Sequence, residues 1–330
     1  MSDANEPTGE ETKDEAVADP TADRDFTRLI EKLRVDHNFD FREYKPASLA
    51  RRIRSRMSVV RQDTFGGYLQ YLTGHPDEYV ALFNTILINI TTFFRDPPAW
   101  AALRVSVIPA IVEEARESRS IRMWSAGCAS GEEPYSLAIV LADALGEHAP
   151  EYDVKIYATD VDEQALATAR HGLYSTEQVK AVEPRLLQRH FTREGTMFRF
   201  RRDLRRWCIF GRHNLAKDPP LSHLDLIVCR NVLIYFSSDL QDKIIPMFHY
   251  ALRESGFLFL GRAESLLVRS RRFTPVDLKW RIFRRNIGGG DQTVPLLVQS
   301  TEPVNLAGGG RSEAYMFGVR LQPVINALQS

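Results

Sequence analysis

The stretch Trp124-Ser125-Ala126-Gly127-Cys128-Ala129-Ser130-Gly131-Glu132-Glu133-Pro134 decides the fold. An apolar run of strand type, residues 121–125, gives way to a turn of small residues, and helical spacing follows over 132–145. Small side chains let the backbone of such a turn approach a ligand closely, and the helix start presents unpaired N–H groups. Outward from this turn strands and helices alternate. Strands are expected at 154–159, 207–212, 224–229 and 257–260, and helices at 163–170 and 238–253. That order argues for right-handed crossovers and a largely parallel sheet. The alternating run 273–283 would add an antiparallel edge. The rhythm breaks over 173–206, where alternation across 191–204 around Glu194-Gly195 suggests an inserted hairpin.

Upstream, Phe26, Leu29, Ile30 and Leu33 recur at helical spacing, and after a turn near Asn38 Pro46 opens a second helix with Leu49, Ile53 and Met57 on its apolar face. Helical patterns follow at 65–72 and 77–87, parted by Gly74-His75-Pro76. A helix begun by Pro97-Pro98 would carry Trp100, Leu103, Val107, Ile108 and Ile111 as a link. The expected organisation is an acidic disordered tail over 1–25, a helical domain over 26–95, a linker helix over 96–118, an α/β domain over 119–286 and a Gly-containing tail over 287–330. The first 25 residues hold nine acids against two basic residues. Too few large apolar groups occur there to offset the entropy of ordering. After Asn286, Gly288 to Gly290 and Gly308 to Gly310 mark a flexible linker, and the segment 315–328 is apolar enough to pack.

Over the whole chain 43 basic and 43 acidic side chains balance, so global charge names no partner. Cys128, Cys208 and Cys229 lack metal-ligand spacing, which fits a reducing cytoplasm with no disulfide and no metal. No apolar run reaches about 18 residues, and no charged-then-apolar N-terminus is seen, so neither membrane insertion nor secretion is expected.

The small-residue turn alone would serve a dinucleotide, adenosylmethionine or tight packing. The G-x-G-x-x-G spacing of dinucleotide folds is missing, and two glutamates at the turn's exit would repel a pyrophosphate. One of them could instead hold the ammonium of an amino-acid ligand, which favours adenosylmethionine. Asp160 ends the second strand, where a carboxylate accepts from ribose hydroxyls. Asp162 reads as a helix N-cap. His213 reads as a surface residue rather than a catalyst, and Asn214-Leu215 offer an amide and an apolar face to adenine. Tyr235 by itself would be a core aromatic, but Arg230-Asn231 before it, at the C-terminal edge of a strand, turns it towards the pocket. Phe93 and Phe94, within Asn89-Ile90-Thr91-Thr92-Phe93-Phe94-Arg95-Asp96, read as packing residues.

Four segments, 89–96, 124–136, 158–162 and 229–236, together resemble the chemotaxis receptor methyltransferase family (CheR), over roughly Phe26 to Arg285. The resemblance implies an α/β fold: a class I methyltransferase (Rossmann-like) mixed sheet with an N-terminal all-helical domain and a small antiparallel β insertion. It implies S-adenosyl-L-methionine as donor, with S-adenosyl-L-homocysteine as product. By position it assigns donor binding to Asn89, Thr91, Arg95, Glu133, Asp160, Asn214, Leu215, Arg230 and Asn231, with Glu132 a near neighbour. Arg95, Tyr235 and Arg230 become the catalytic candidates.

The activity implied is methyl esterification of glutamate side chains on the cytoplasmic helices of chemotaxis receptors. Arg51, Arg52, Arg54 and Arg56 form a charge run that would ordinarily be a solvated face; the resemblance makes it a docking surface for acidic receptor helices. Family members that bind a receptor's C-terminal pentapeptide carry a longer, glycine-rich loop between the hairpin strands. Arg193-Glu194-Gly195-Thr196 is short, so that peptide is not expected to be required. No nucleic-acid partner is expected, because no stacking aromatics accompany the arginines. Two alternatives stay open from sequence: methyl transfer to another acceptor, and a non-catalytic adenosylmethionine or adenosylhomocysteine sensor in a signalling array.

Overall fold

The computed structural model describes residues 19–37, 39–87, 89–262, 264, 271–287, 315–316 and 319–320. The acidic tail up to residue 18, the turn at Asn38, the glycine linker and most of the 315–328 segment lie outside the described residues. Two compact units divide between Ile86 and Leu87.

Among its described residues the first unit has the α-helices α1 (Arg24–His37), α2 (Pro46–Val59), α3 (Phe65–Gly74) and α4 (Pro76–Ile86), preceded by a 3₁₀ turn at Pro20–Ala22. Their apolar stripes are buried, including Leu29 and Leu33 from α1, Ile53 and Met57 from α2, Tyr68 and Leu72 from α3, and Leu82 from α4. Thr64 starts α3 by accepting the Gly67 N–H at 3.1 Å. The arginine run of α2 divides by helical phase. Arg51 and Arg54 are exposed. Arg52 donates to the Ile86 carbonyl at 3.3 Å. Arg56 makes a two-pronged ion pair with Glu78, Nε to Oε1 and Nη2 to Oε2 each at 2.7 Å, while the Tyr68 hydroxyl donates to Glu78 Oε1 at 2.7 Å. Glu78 is only 6% exposed, and its pKa is held low chiefly by Arg56.

The second unit begins with α5 (Pro97–Ser106) and α6 (Ile108–Glu114), then β1 (Ser120–Ala126), α7 (Glu132–Leu145), β2 (Asp153–Asp160) and α8 (Glu163–His171). The inserted region supplies β3 (Leu173–Ser175), α9 (Pro184–His190), β4 (Phe191–Glu194), β5 (Met197–Phe200) and the short α10 (Arg202–Arg205). The main sheet resumes with β6 (Cys208–Arg212) and β7 (Leu224–Cys229), followed by α11 (Ser238–Ala251), β8 (Leu252–Leu260), β9 (Phe273–Asp277) and β10 (Ile282–Arg285). A further short pair joins Tyr315–Met316 antiparallel to Val319–Arg320.

The main sheet has seven strands in the order β6-β2-β1-β7-β8-β10-β9. The first five run parallel, with β1 between β2 and β7, and β10 is antiparallel to both β8 and β9. The strand order reverses direction of growth at β1, so the turn after β1 sits at the sheet's switch point, where α/β sheets bind ligands. β7 is buried along its whole length, and Leu137 to Ala142 of α7 are all buried against the same core, as a two-sided parallel sheet requires.

Three sequence expectations change. The run 273–283 is two strands rather than one edge strand, because the Asp277 side chain accepts the Trp280 N–H at 3.0 Å and Arg281 takes φ +58°, folding the chain back so that β10 lies inside β9. The helix expected over 238–253 ends at Ala251, and β8 begins at once, earlier than Phe257. The linker expected as one helix breaks at Val107, with Pro109 in the first turn of α6.

The insertion is a three-stranded antiparallel sheet, β3-β5-β4. β4 and β5 are joined by the two-residue turn Gly195-Thr196, with Gly195 at φ +61°. Its apolar side joins the main core: Phe93 meets Tyr174 and Phe191 edge-on at 4.9 and 5.4 Å, and Tyr135 lies 4.2 Å from Phe200 between ring centres.

Removing one member of the Arg56–Glu78 pair strands a buried charge, which typically costs about 3 kcal/mol or more. Arg56→Met should therefore destabilise the protein by roughly that amount in urea unfolding, and Arg56→Met with Glu78→Met should recover most of it. A loss below about 1 kcal/mol for the single variant would mean the pair behaves as a surface ion pair.

Candidate active site

The turn after β1 is shaped by backbone requirements. Gly127, Ala129 and Gly131 take φ +79°, +45° and +96°. The N–H groups of Gly127 and Cys128 both donate to the Thr159 carbonyl, at 2.8 and 2.9 Å, which folds the turn over the end of β2. A Cβ on Gly127 would come within 2.4 Å of Val232 Cγ2, and one on Gly131 within 2.8 Å of the Ala169 methyl. Both glycines are thus needed for conformation and for close approach.

Asp160, at the end of β2, closes this cradle. Its Oδ2 accepts the Ala129 N–H at 2.9 Å and its Oδ1 the Asp162 N–H at 3.0 Å. Burial pushes its pKa up against those donors. Each carboxylate oxygen keeps a second acceptor position, so ribose hydroxyls could still be received. Asp162 caps α8, accepting from Gln164 N–H at 2.8 Å and Ala165 N–H at 3.1 Å. Its other oxygen accepts the Asn89 amide at 2.6 Å, which fastens the 89–96 segment to the end of β2.

Glu132 and Glu133 point to different neighbours. Glu132 accepts from the Ser130 hydroxyl at 2.7 Å and from the Gln178 amide at 3.5 Å, on the side of the insertion. Glu133 accepts the Ser125 hydroxyl at 2.7 Å, at the end of β1. Burial pushes the Glu133 carboxyl up to about 7, although Arg230, Ser125 and Arg95 pull the other way. A half-buried carboxyl poised there suits the ammonium of an amino-acid ligand.

Arg230 follows β7 with its side chain 1% exposed. It donates from Nη1 to the Arg95 carbonyl and from Nη2 to Asp96 Oδ2, both at 2.7 Å, and its guanidinium lies 4.7 Å over the Phe259 ring. Sequence placed it among donor-binding and catalytic groups; in the fold its two outer nitrogens also brace the 89–96 segment. Arg95 is half-buried, donating from Nη1 to the Ile90 carbonyl at 3.2 Å. Thr91 is also half-buried on this segment. Phe93 and Phe94 are buried, and Phe94 N–H donates to Ser136 Oγ on α7 at 3.0 Å.

Asn231 has φ +61° and a buried Oδ1 with no hydrogen-bond partner among the described residues. Tyr235, in a short 3₁₀ turn (Leu233–Tyr235), is half-buried. After β6, Asn214 closes its own turn: its N–H donates to Asp218 and its Oδ1 accepts from Ala216 N–H at 2.9 Å, with Leu215 buried beside it. His213, expected at the surface, is buried instead, edge-on to Trp124 at 5.2 Å and within 3.0 Å of the Pro219 carbonyl. Desolvation depresses its pKa.

The turn, Glu133, Asp160, Asn89 and the Arg230-Asn231 edge therefore belong to one end of the sheet. Ser125 and Asp96 were given no role from sequence. A serine on a strand and an acid before Pro97 carry no signal for those contacts. The cradle that excludes a Cβ, an unpartnered amide oxygen at Asn231 and a carboxyl poised for an ammonium fit adenosylmethionine. The sheet and this turn define a class I adenosylmethionine-dependent methyltransferase domain.

Residues 89–282 match the family model "CheR methyltransferase, SAM binding domain", and residues 24–87 match "CheR methyltransferase, all-alpha domain". "Putative methyltransferase Cher3" of Pseudomonas putida is 34% identical over 280 residues, covering 82% of this chain and 100% of that protein. "Chemotaxis protein methyltransferase" of Escherichia coli is 34% identical over 263 residues, covering 77% of this chain and 88% of its own. An "Uncharacterized 104.1 kDa protein in hypE 3'region" of Rhodobacter capsulatus is 37% identical over 257 residues, 78% of this chain but only 27% of that protein. The chain belongs to the CheR methyltransferase family.

A carboxyl with a pKa near 7 must lose its proton to pair with an ammonium, so donor affinity should be lost as pH falls through 7. Calorimetric titration with adenosylhomocysteine should show affinity rising several-fold from about pH 5.5 to about pH 7.5, and Glu133→Gln should bind weakly with a flat profile. An unchanged pH profile in that variant would remove Glu133 from the donor site.

Proposed function

We propose that this protein transfers the methyl group of adenosylmethionine to glutamate carboxylates on the cytoplasmic helices of chemotaxis receptors, forming methyl esters that adjust signalling during adaptation. The observation that carries this reading is the succession, in one chain, of the all-alpha domain and the donor-binding domain of the CheR family. Asn89, Thr91, Arg95, Glu133, Asp160, Asn214, Leu215, Arg230 and Asn231 are proposed to hold the donor. The action is proposed to take place in the cytoplasm.

Bound donor supplies an electrophilic methyl on a sulfonium. A glutamate acceptor is already ionised near neutral pH, because its ordinary pKa is about 4.3, and no general base is needed. The chain's task is alignment and exclusion of water. Opposite charges cancel as the methyl moves, so a tight grip on the acceptor carboxylate would favour the ground state. Arg95 is suited to orientation: Arg230 and the Trp100 indole N–H both donate to its backbone carbonyl, while the residue is half-buried. Tyr235 is assigned beside the transferred methyl. The two-residue turn Gly195-Thr196 leaves little backbone to shape a groove for an added strand, which supports methylation without a receptor C-terminal pentapeptide.

With labelled donor and receptor fragments, base-labile label on glutamate supports this reading, and label elsewhere replaces the acceptor. Arg95→Ala should reduce methylation more than Tyr235→Phe, by about a hundredfold against about tenfold, since it removes orientation and a donor contact together. Wild-type rates in both would overturn the assignment.

Of the four α2 arginines, Arg51 and Arg54 are presented to solvent, whereas Arg56 is engaged with Glu78. Complementary charge steers encounter and weakens with salt. Arg51→Glu with Arg54→Glu should abolish receptor methylation at unchanged donor affinity. Lost adenosylhomocysteine binding in that variant would count against docking.

A further inference from the structure

Glu264 is a carboxylate 2% exposed, with no cationic hydrogen-bond partner among the described residues. It receives backbone donors instead. Oε1 accepts the N–H groups of Val232 and Leu233, each at 2.9 Å, and Oε2 accepts the Gly261 N–H at 2.5 Å. Its own N–H donates to the Gly261 carbonyl at 3.1 Å. Two of those donors lie on the segment after β7 that carries Asn231 and Tyr235, and the third lies just past the end of β8. The carboxylate therefore ties the ends of two neighbouring parallel strands together.

The fit leaves no slack. A Cβ on Gly261 would lie 2.8 Å from the Asn231 nitrogen and 3.0 Å from Glu264 Oε2. Asn231 sits in a left-handed conformation, at φ +61°, immediately before the bonded amides, and its buried side-chain oxygen has no partner among the described residues. A non-glycine residue keeps such a conformation only where its surroundings impose it. The Glu264 bridge pins the two residues that follow Asn231, since a buried carboxylate accepting several N–H groups makes charge-assisted bonds stronger than neutral ones. The chain beyond Val232 is also the wall of the donor turn, because Val232 lies against Gly127.

We infer that Glu264 is a positioning residue for methyl transfer, which touches neither donor nor acceptor and holds the Asn231–Tyr235 segment in its binding-competent form. This rests on the donor site described above. If the segment is released, donor affinity falls by the fraction of molecules that retain the form. The loss should run through Asn231, so the two residues should be energetically coupled, unlike residues that stabilise the protein independently.

The test is titration of the full chain with adenosylhomocysteine, which needs no acceptor and so is unaffected by a wrong acceptor assignment. Glu264→Gln keeps the size but faces one N–H group with an amide nitrogen; it should weaken binding by about tenfold or more. In an Asn231→Ala background the same change should weaken binding by less than about threefold. Glu264→Asp, which keeps charge but not reach, should fall between wild type and the amide. Binding within about twofold of wild type, or an equal loss in both backgrounds, would overturn the inference. Should the amide variant fail to fold, hydrogen exchange on the unaltered chain decides: the Val232 and Leu233 amides should exchange as slowly as those of β7, and exchange at the rate of an open loop would refute the bridge.

Discussion

Arg230 places a guanidinium in the interior at the point where the central sheet meets the segment before α5. Withdrawing such a group from water is unfavourable unless its donors are met. Here the Arg95 carbonyl and the Asp96 carboxylate meet two of them, and the flat face rests on Phe259. The guanidinium suits this task better than an ammonium, because it is planar, permanently charged and forked. What it holds is backbone under strain: Phe94 and Asp96 both have positive φ, at +50° and +59°. The grip thereby fixes the backbone at Arg95 and at Asp96, the residue before α5.

The same end of the sheet shows how neighbouring acids acquire different characters. Glu132 and Glu133 are adjacent, yet the helical turn between them sends one towards Ser130 and Gln178 and the other towards Ser125. Burial raises both. Only Glu133 also feels Arg230 and Arg95, whose fields oppose the desolvation and leave it near the middle of the physiological range. A carboxyl so balanced changes its charge readily when a cationic ligand arrives.

Periodicity and turn chemistry made the alternation of strands and helices, the inserted hairpin and the helical unit readable, because each is a local pattern repeated over several residues. The donor turn was readable for the same reason: Gly127 and Gly131 advertise conformations that other residues avoid. Less was visible where one side chain chooses between distant partners. Arg56 resembles Arg54 in sequence, but two positions along a helix turn it by roughly 200 degrees, towards Glu78 rather than solvent. The folding back of 273–283 depends on Asp277 accepting from Trp280, a contact that alternation hides. Arg230 stands at a strand end, where ligand contacts gather, and only the fold shows that its outer nitrogens also reach Arg95 and Asp96.

The central position of β1 has a consequence for how the molecule comes into being. Met123 pairs with Leu226, about a hundred residues later in the chain, and the Val232 side chain that walls the donor turn comes later still. Closing so large a loop must precede the contacts that reward it, which makes such a topology slow to assemble. A nascent chain that has emerged only through β6 therefore has the glycine turn and Asp160 but not the Val232 wall that faces Gly127. Competence to take up the donor arrives in one late step, when β7 slots beside β1, so ligand binding would report completion of the central sheet during synthesis.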